Sequence, residues 1–162
     1  VTQAMGGAPN ILKTMAQAPA LLESYLSFSK ALKTASLSDG LREQIALTVA
    51  GANNCQYCAS AHTFLAKKAG INDPSELTNN LEATANDPQV QAALTFAKII
   101  VENRGWVNNA QVQAVRDAGY SNAQIFAILA TVCLNILTNY FNHLAQTDID
   151  FPVVEIKEPV LP

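Results

Sequence analysis

Residues 53–62 read NNCQYCASAH, which sets Cys55, Cys58 and His62 at spacings of three and four. On a helix these positions share one face, so two thiols and an imidazole would stand side by side. Asn53 and Asn54 interrupt the preceding helical pattern and put Cys55 at a helix N-terminus, where unpaired amides and the helix dipole favour a thiolate. His62, one turn beyond Cys58, can take or relay that thiol's proton. The dipole favours Cys55 as the more acidic thiol, whereas the imidazole is placed to help Cys58. Either way, a reactive dithiol is the expected chemistry.

Two other uses of the same residues compete with it. A closed zinc site needs four ligands, but beyond this stretch the sequence offers only Cys133 and His143 on a distant segment. A second C-x-x-C or an H-x-x-x-H is missing, so no metal is expected. Cysteine also fills cores well, yet two cysteines and a histidine on one face of a helix start are an unusual way to do so. Glu43 adds a carboxylate twelve residues before Cys55. If the two helices pack antiparallel across the Asn53–Asn54 turn, it can orient His62 or accept a thiol proton.

The elements that must hold these groups read as helices. Apolar residues recur at helical spacing, and β-branched alternation is nearly absent before the tail FPVVEIKEPVLP, so the fold class is all-α. Pro19 opens a first helix with Leu22, Leu26 and Leu32 near one stripe, and Ser38 caps LREQIALTVAGAN. Gly70 ends the dithiol helix. Asp73, Pro74 and Glu76 predict a capping box, and Asp87 with Pro88 opens a helix ending near Arg104 and Gly105. Asn108 with Gln111 and Ser121 with Gln124 open two more. The last helix, apolar nearly all round, is expected at the centre of the bundle or in a subunit interface. The tail from about residue 148 should be extended, strapping a neighbour.

The chain of 162 residues fits one domain spanning 1–162. With 49% hydrophobic and only 14% charged residues, some apolar surface is expected to meet another subunit, giving a homo-oligomer. A net charge of −3 and the lack of a basic run argue against nucleic acid. No apolar run is expected to reach the roughly 20 residues of a membrane span. VTQAMGGAPN has neither the charged nor the apolar region of a secretion signal, so a cytoplasmic location is expected, although the first residue is not Met. Three cysteines do not make a secreted disulfide framework.

Glu43, eleven residues, Cys55-Gln56-Tyr57-Cys58, three residues and His62, inside LREQIALTVAGANNCQYCASAHTFLAKKAG, resembles the carboxymuconolactone decarboxylase superfamily. More narrowly, it resembles the alkylhydroperoxidase D-like, peroxidase-related branch. VRDAGYSNAQIFAILATVCLNILTNYFNHLAQTDIDFP is similar to that branch's second half, so the resemblance covers about residues 20–152. It implies an alkylhydroperoxidase D-like helical bundle, assembled as a trimer or hexamer, with a dimer the third order to distinguish. The implied activity is a thiol peroxidase acting on organic hydroperoxides or hydrogen peroxide, without a cofactor. The family pattern makes Cys58 the peroxide-reactive thiol and Cys55 the resolving one, with His62 and Glu43 as a proton relay. An external dithiol, a lipoyl-bearing protein in the best-known relatives, reopens the disulfide. Tyr57 departs from the pattern, standing where those relatives have a histidine. Two other readings are a lactone decarboxylase, after the superfamily's name, and a non-catalytic redox-sensing or partner-binding oligomer.

The remaining residues have blander expectations. Cys133 reads as a buried packing residue of an apolar helix, and Trp106 as a side chain packed at a helix junction. His143 reads as a hydrogen-bonded structural histidine, with a subunit contact near the dithiol as the alternative.

Overall fold

A computed structural model describes residues 7–156. Its regular structure is α1 (Asn10–Met15), α2 (Pro19–Leu32), α3 (Asp39–Ala52), α4 (Gln56–Lys68), α5 (Pro74–Leu81), α6 (Pro88–Glu102), α7 (Asn109–Asp117) and α8 (Asn122–Ala145). No strand occurs among the described residues.

Local chemistry sets most of the boundaries. Proline occupies the first turn of α2, α5 and α6, where its missing N–H costs nothing. Ser38 Oγ accepts from Leu41 N at 3.1 Å to start α3. Asn108 with Gln111 and Ser121 with Gln124 form reciprocal capping boxes at α7 and α8. Gly70, at φ +97°, follows α4 in the left-handed region that glycine adopts without a Cβ clash. The box expected at Asp73 does not form. Asp73 does cap Ser75 N, but Glu76 turns away to accept from Gln44, Asn80 and Asn86. A buried amide next to a carboxylate outcompetes a backbone N–H that water already serves.

The centre of the bundle is α3, not the last helix. Gln44 to Ala50 are all buried, and α3 packs against α4, α5, α6 and α8. Gly51 lets α3 lie against the end of α5, since a Cβ there would sit 1.9 Å from the Leu81 carbonyl oxygen.

Although α8 is apolar nearly all round, its two sides differ. The buried side carries Ile125, Ala127, Ile128 and Val132 toward its start, where they join the main core, and Thr131, Asn135, Thr138, Asn139 and Asn142 toward its end, while Phe126, Leu129, Cys133, Leu137, Tyr140 and Leu144 are exposed along the other. The expected burial of Cys133 is therefore corrected, because periodicity alone cannot say which face of an all-apolar helix turns inward. This helix also exceeds the expected apolar length, with 24 residues and a mean hydropathy of 1.5 over its most apolar window. The amide and hydroxyl side chains it buries within the bundle are groups that hydrocarbon would leave without partners.

Three further expectations are corrected. Trp106 is 83% exposed, since the turn after α6 carries it past the core, and Leu26 of the α2 stripe is also exposed. The tail is extended as expected, but it straps its own chain. Phe151 is buried against Tyr57 and Phe64, and Val154 N donates to Ser60 Oγ at 3.0 Å. Pro159 and Pro162 lie outside the described residues.

Candidate active site

The turn between α3 and α4 builds the dithiol. Asn54 adopts φ 54°, a left-handed conformation that asparagine tolerates, and the chain reverses there. Cys55 then caps α4 with its own sulfur, accepting from Cys58 N at 3.4 Å. Both thiols are free and buried, Cys55 at 1% and Cys58 at 2% exposure. The reversal also brings α3 back alongside α4, so Glu43 Oε2 lies 2.7 Å from His62 Nδ1. The four residues singled out in the sequence thus converge.

Residues from α8 and α2 complete the site, and the sequence reading missed most of them. Asn142 Nδ2 donates to Cys58 Sγ at 3.2 Å, and Asn53 Nδ2 donates to Asn139 Oδ1 at 3.0 Å, tying the turn to α8. Asn139 Nδ2 is buried without a hydrogen-bond partner of normal geometry and adds a weaker pull on Cys58. The polar spacing 131, 135, 138, 139 and 142 in an otherwise apolar run was the available signal. Tyr25 of α2 has its pKa raised by burial and by the charges of Cys58 and Glu43, which keeps its phenol protonated. His143 is exposed and joins neither this cluster nor a hydrogen bond among the described residues. Its expected structural hydrogen bond is absent because α8 turns it outward.

The electrostatics separate the two thiols. Burial alone would push the Cys58 thiol up. The hydrogen bond from Cys55, the charge of His62 and the amides of Asn142 and Asn139 outweigh it and bring the pKa down to about 7. Cys55 moves the other way, raised by its hydrogen bond to Cys58 and then by burial, so it stays a thiol. Burial disfavours the imidazolium of His62, but the charge and hydrogen bond of Glu43, with Cys58 and Asn135 adding to them, raise its pKa. This reverses the ranking that the helix dipole implied: hydrogen bonds aimed at one sulfur outweigh a diffuse end charge.

Tyr57 does not contact the cysteine–histidine pair through its hydroxyl. That hydroxyl accepts from Ile11 N at 3.2 Å and donates to Asp150 Oδ1 at 2.9 Å, pinning α1 and the tail to α4.

A cavity of about 540 Å³ opens in front of the cluster, within the range of small-molecule sites. Cys58, His62, Glu43 and Asn142 line it, and Cys55 does not. Cys58 is thus the thiol that a molecule in the cavity would meet, with Cys55 behind it.

Residues 19–99 match the model of the carboxymuconolactone decarboxylase family, and the chain belongs to that family, in its alkylhydroperoxidase AhpD-like branch. The fold is similar to the alkylhydroperoxidase AhpD core of an uncharacterized peroxidase-related protein from Ralstonia eutropha JMP134. That match has 26% identity and a TM-score of 0.81, and covers 88% of this chain and 77% of that one. A peroxidase-related protein from Silicibacter sp. TM1040 matches at 22% identity and TM-score 0.82, covering 91% of this chain and 79% of that one. The debrominase Bmp8, as a cysteine-to-alanine variant in complex with 2,3,4-tribromopyrrole, matches at 21% identity and TM-score 0.78. Coverage is 91% of this chain and 80% of that one. No curated protein matches the sequence at a significant level.

Proposed function

We propose that this chain is a thiol-dependent peroxidase that reduces organic hydroperoxides or hydrogen peroxide through Cys58 and Cys55. The observation that carries this reading is that Cys58 lines the cavity with its pKa lowered to about 7, while Cys55 is held protonated behind it. The Cys58 thiolate attacks the outer peroxide oxygen, an S–O bond forms and the O–O bond breaks. The leaving alkoxide takes a proton from His62, which Glu43 holds in its charged form. The sulfenic acid on Cys58 then condenses with the Cys55 thiol, releasing water and forming the disulfide. An external dithiol, for which a lipoyl-bearing protein is the model, returns both thiols.

The exposed apolar side of α8 supports a homo-oligomer, and three cysteines that make no secreted disulfide framework support a cytoplasmic location. The lactone decarboxylase has weaker support, since it does not call for two thiols set to opposite protonation states. A redox sensor starts from the same reactive thiol and is distinguished by a slow peroxide reaction combined with a partner that binds only one redox form.

The test is a thiol count on reduced protein before and after one equivalent of cumene hydroperoxide, repeated with Cys58→Ser and Cys133→Ser. Loss of two thiols, abolished by the Cys58 change and kept in the Cys133 change, is expected. If no thiol is lost, the peroxidase reading fails. Turnover of a γ-carboxylactone by the Cys55→Ser, Cys58→Ser double variant would establish the decarboxylase instead.

A further inference from the structure

The cavity in front of Cys58 has chemically distinct parts. Its walls are largely apolar, with Leu12, Leu26, Leu65, Leu134 and Phe151 contributed by α1, α2, α4, α8 and the tail. Three cations also line it: Lys30 and Lys33 at the end of α2, and Arg42 on α3. Arg42 is already engaged, donating to the Leu37 carbonyl at 2.8 Å and to Asp39. Lys30 and Lys33 have no ion-pair partner among the described residues, and both are exposed. The one carboxylate in the lining is Glu43, which His62 occupies. In a chain of net charge −3, such a local excess of cations beside an apolar cavity calls for an anion attached to an apolar body.

We propose that the substrate of this site is the hydroperoxide of a long-chain carboxylic acid. Its carboxylate is held by Lys30 and Lys33, its chain lies along the leucine walls, and its peroxide meets Cys58. This rests on the peroxidase reading and names its substrate class. The chemistry is unchanged: sulfur loses two electrons, the O–O bond gains them, and the products are the hydroxy acid and the Cys58 sulfenic acid. The carboxylate takes no part in bond making and serves to place the peroxide. Hydrogen peroxide has neither chain nor charge and is the poorer substrate.

The experiment compares single-turnover thiol loss with linoleic acid hydroperoxide, its methyl ester and cumene hydroperoxide, in the unaltered chain and in Lys30→Gln, Lys33→Gln. The acid is expected to react about tenfold faster than the ester, the factor two exposed ion pairs supply together, with the advantage shrinking as salt is added. In the double variant the acid-to-ester ratio should fall to near one. Equal rates for acid and ester in the unaltered chain, or a ratio the lysine changes leave intact, would overturn the proposal.

A binding arm separates this inference from the chemistry. Lauric acid, which carries no peroxide, is titrated calorimetrically into the Cys58→Ser protein. Binding that the two lysine changes weaken about tenfold supports the substrate class even if no peroxide oxidises the thiols, and binding that they leave unchanged overturns it. Absence of binding overturns the substrate class and leaves the peroxidase reading standing on the cumene hydroperoxide result alone.

Discussion

Asn142 and Cys58, 84 residues apart, meet side chain to side chain, the amide Nδ2 donating to the sulfur at 3.2 Å. A neutral donor aimed at sulfur, whose charge is diffuse, favours the thiolate by the lower end of a hydrogen bond to a charged group, about 1.5 kcal/mol. Asn142→Leu should therefore move the Cys58 alkylation midpoint up by about one pH unit from its value near 7. The peroxide rate at pH 7 should fall by only about twofold, because a more basic thiolate is a better nucleophile. An unchanged midpoint would remove Asn142 from the account.

The pair Glu43 and His62 predicts two opposite shifts from one substitution. In Glu43→Gln the charge that holds His62 protonated is gone, burial of the imidazole prevails, and the His62 pKa falls. Cys58 loses the cation beside it, so its pKa rises and the fraction reactive at neutral pH drops. Histidine NMR titration and pH-dependent alkylation read the two shifts separately. In the unaltered chain the rate of thiol oxidation should rise with pH through about 7 and level off above it.

The proposed cycle gives Cys55 two roles that different variants separate. Cys55→Ser keeps a hydrogen-bond donor to Cys58 but has no resolving thiol, so oxidation should stop at the sulfenic acid and be captured by dimedone. Cys55→Ala removes the donor as well, and the Cys58 midpoint should then rise. Both measurements belong in a Cys133→Ser background, since Cys133 is exposed and would otherwise react. With Cys58 then the one cysteine left, a disulfide in either variant could only join two chains and would show that resolution does not need Cys55.

Gly51→Ala would drive a methyl group into the Leu81 carbonyl oxygen. Backbone on backbone cannot yield as a side chain can, so α3 and α5 must separate, at a cost of about 3 kcal/mol. A denaturant midpoint measures the loss. An unchanged midpoint would mean that the approach of α3 to α5 is looser than described.

What the sequence revealed was local. The caps of α3, α7 and α8, the break at Asn53 and Asn54, and the stacking of Cys58 with His62 each depend on residues within one or two turns. Glu43 was within reach because one reversal separates it from His62, 19 residues away. Asn142 and Tyr25 were not, because their approach to Cys58 depends on how α8 and α2 dock, which no short-range pattern fixes. Cys133 and Trp106 were misplaced for a related reason. An apolar helix side and an aromatic after a turn read alike whether they face the core or the outside. Asn135, Asn139 and Asn142 show what decided the matter for α8: its inner side gives Ile125, Ile128 and Val132 to the core and these amides to the thiol and imidazole, and the apolar residues of the opposite side are left outside.

Asp150 grips two distant parts of the chain at once, with Oδ2 on the Asn10 amide at 2.8 Å and Oδ1 on the Tyr57 hydroxyl at 2.9 Å. Ile11, Met15, Cys55 and Phe151 share one apolar cluster beneath that clasp. Both ends of the described chain are therefore expected to open as one cooperative unit, their amides exchanging hydrogen with a common free energy that Asp150→Asn lowers. Cys55 is sealed under this unit while Cys58 lines the cavity, so a dithiol that attacks the Cys55 sulfur must wait for the unit to part and one that attacks the Cys58 sulfur need not. Re-reduction through Cys55 should become independent of dithiol concentration once that concentration is high, with a ceiling set by the rate at which the clasp lets go. A rate that stays proportional to dithiol would assign the attack to Cys58, and a ceiling would mean that the return half of the cycle is timed by the chain's own breathing.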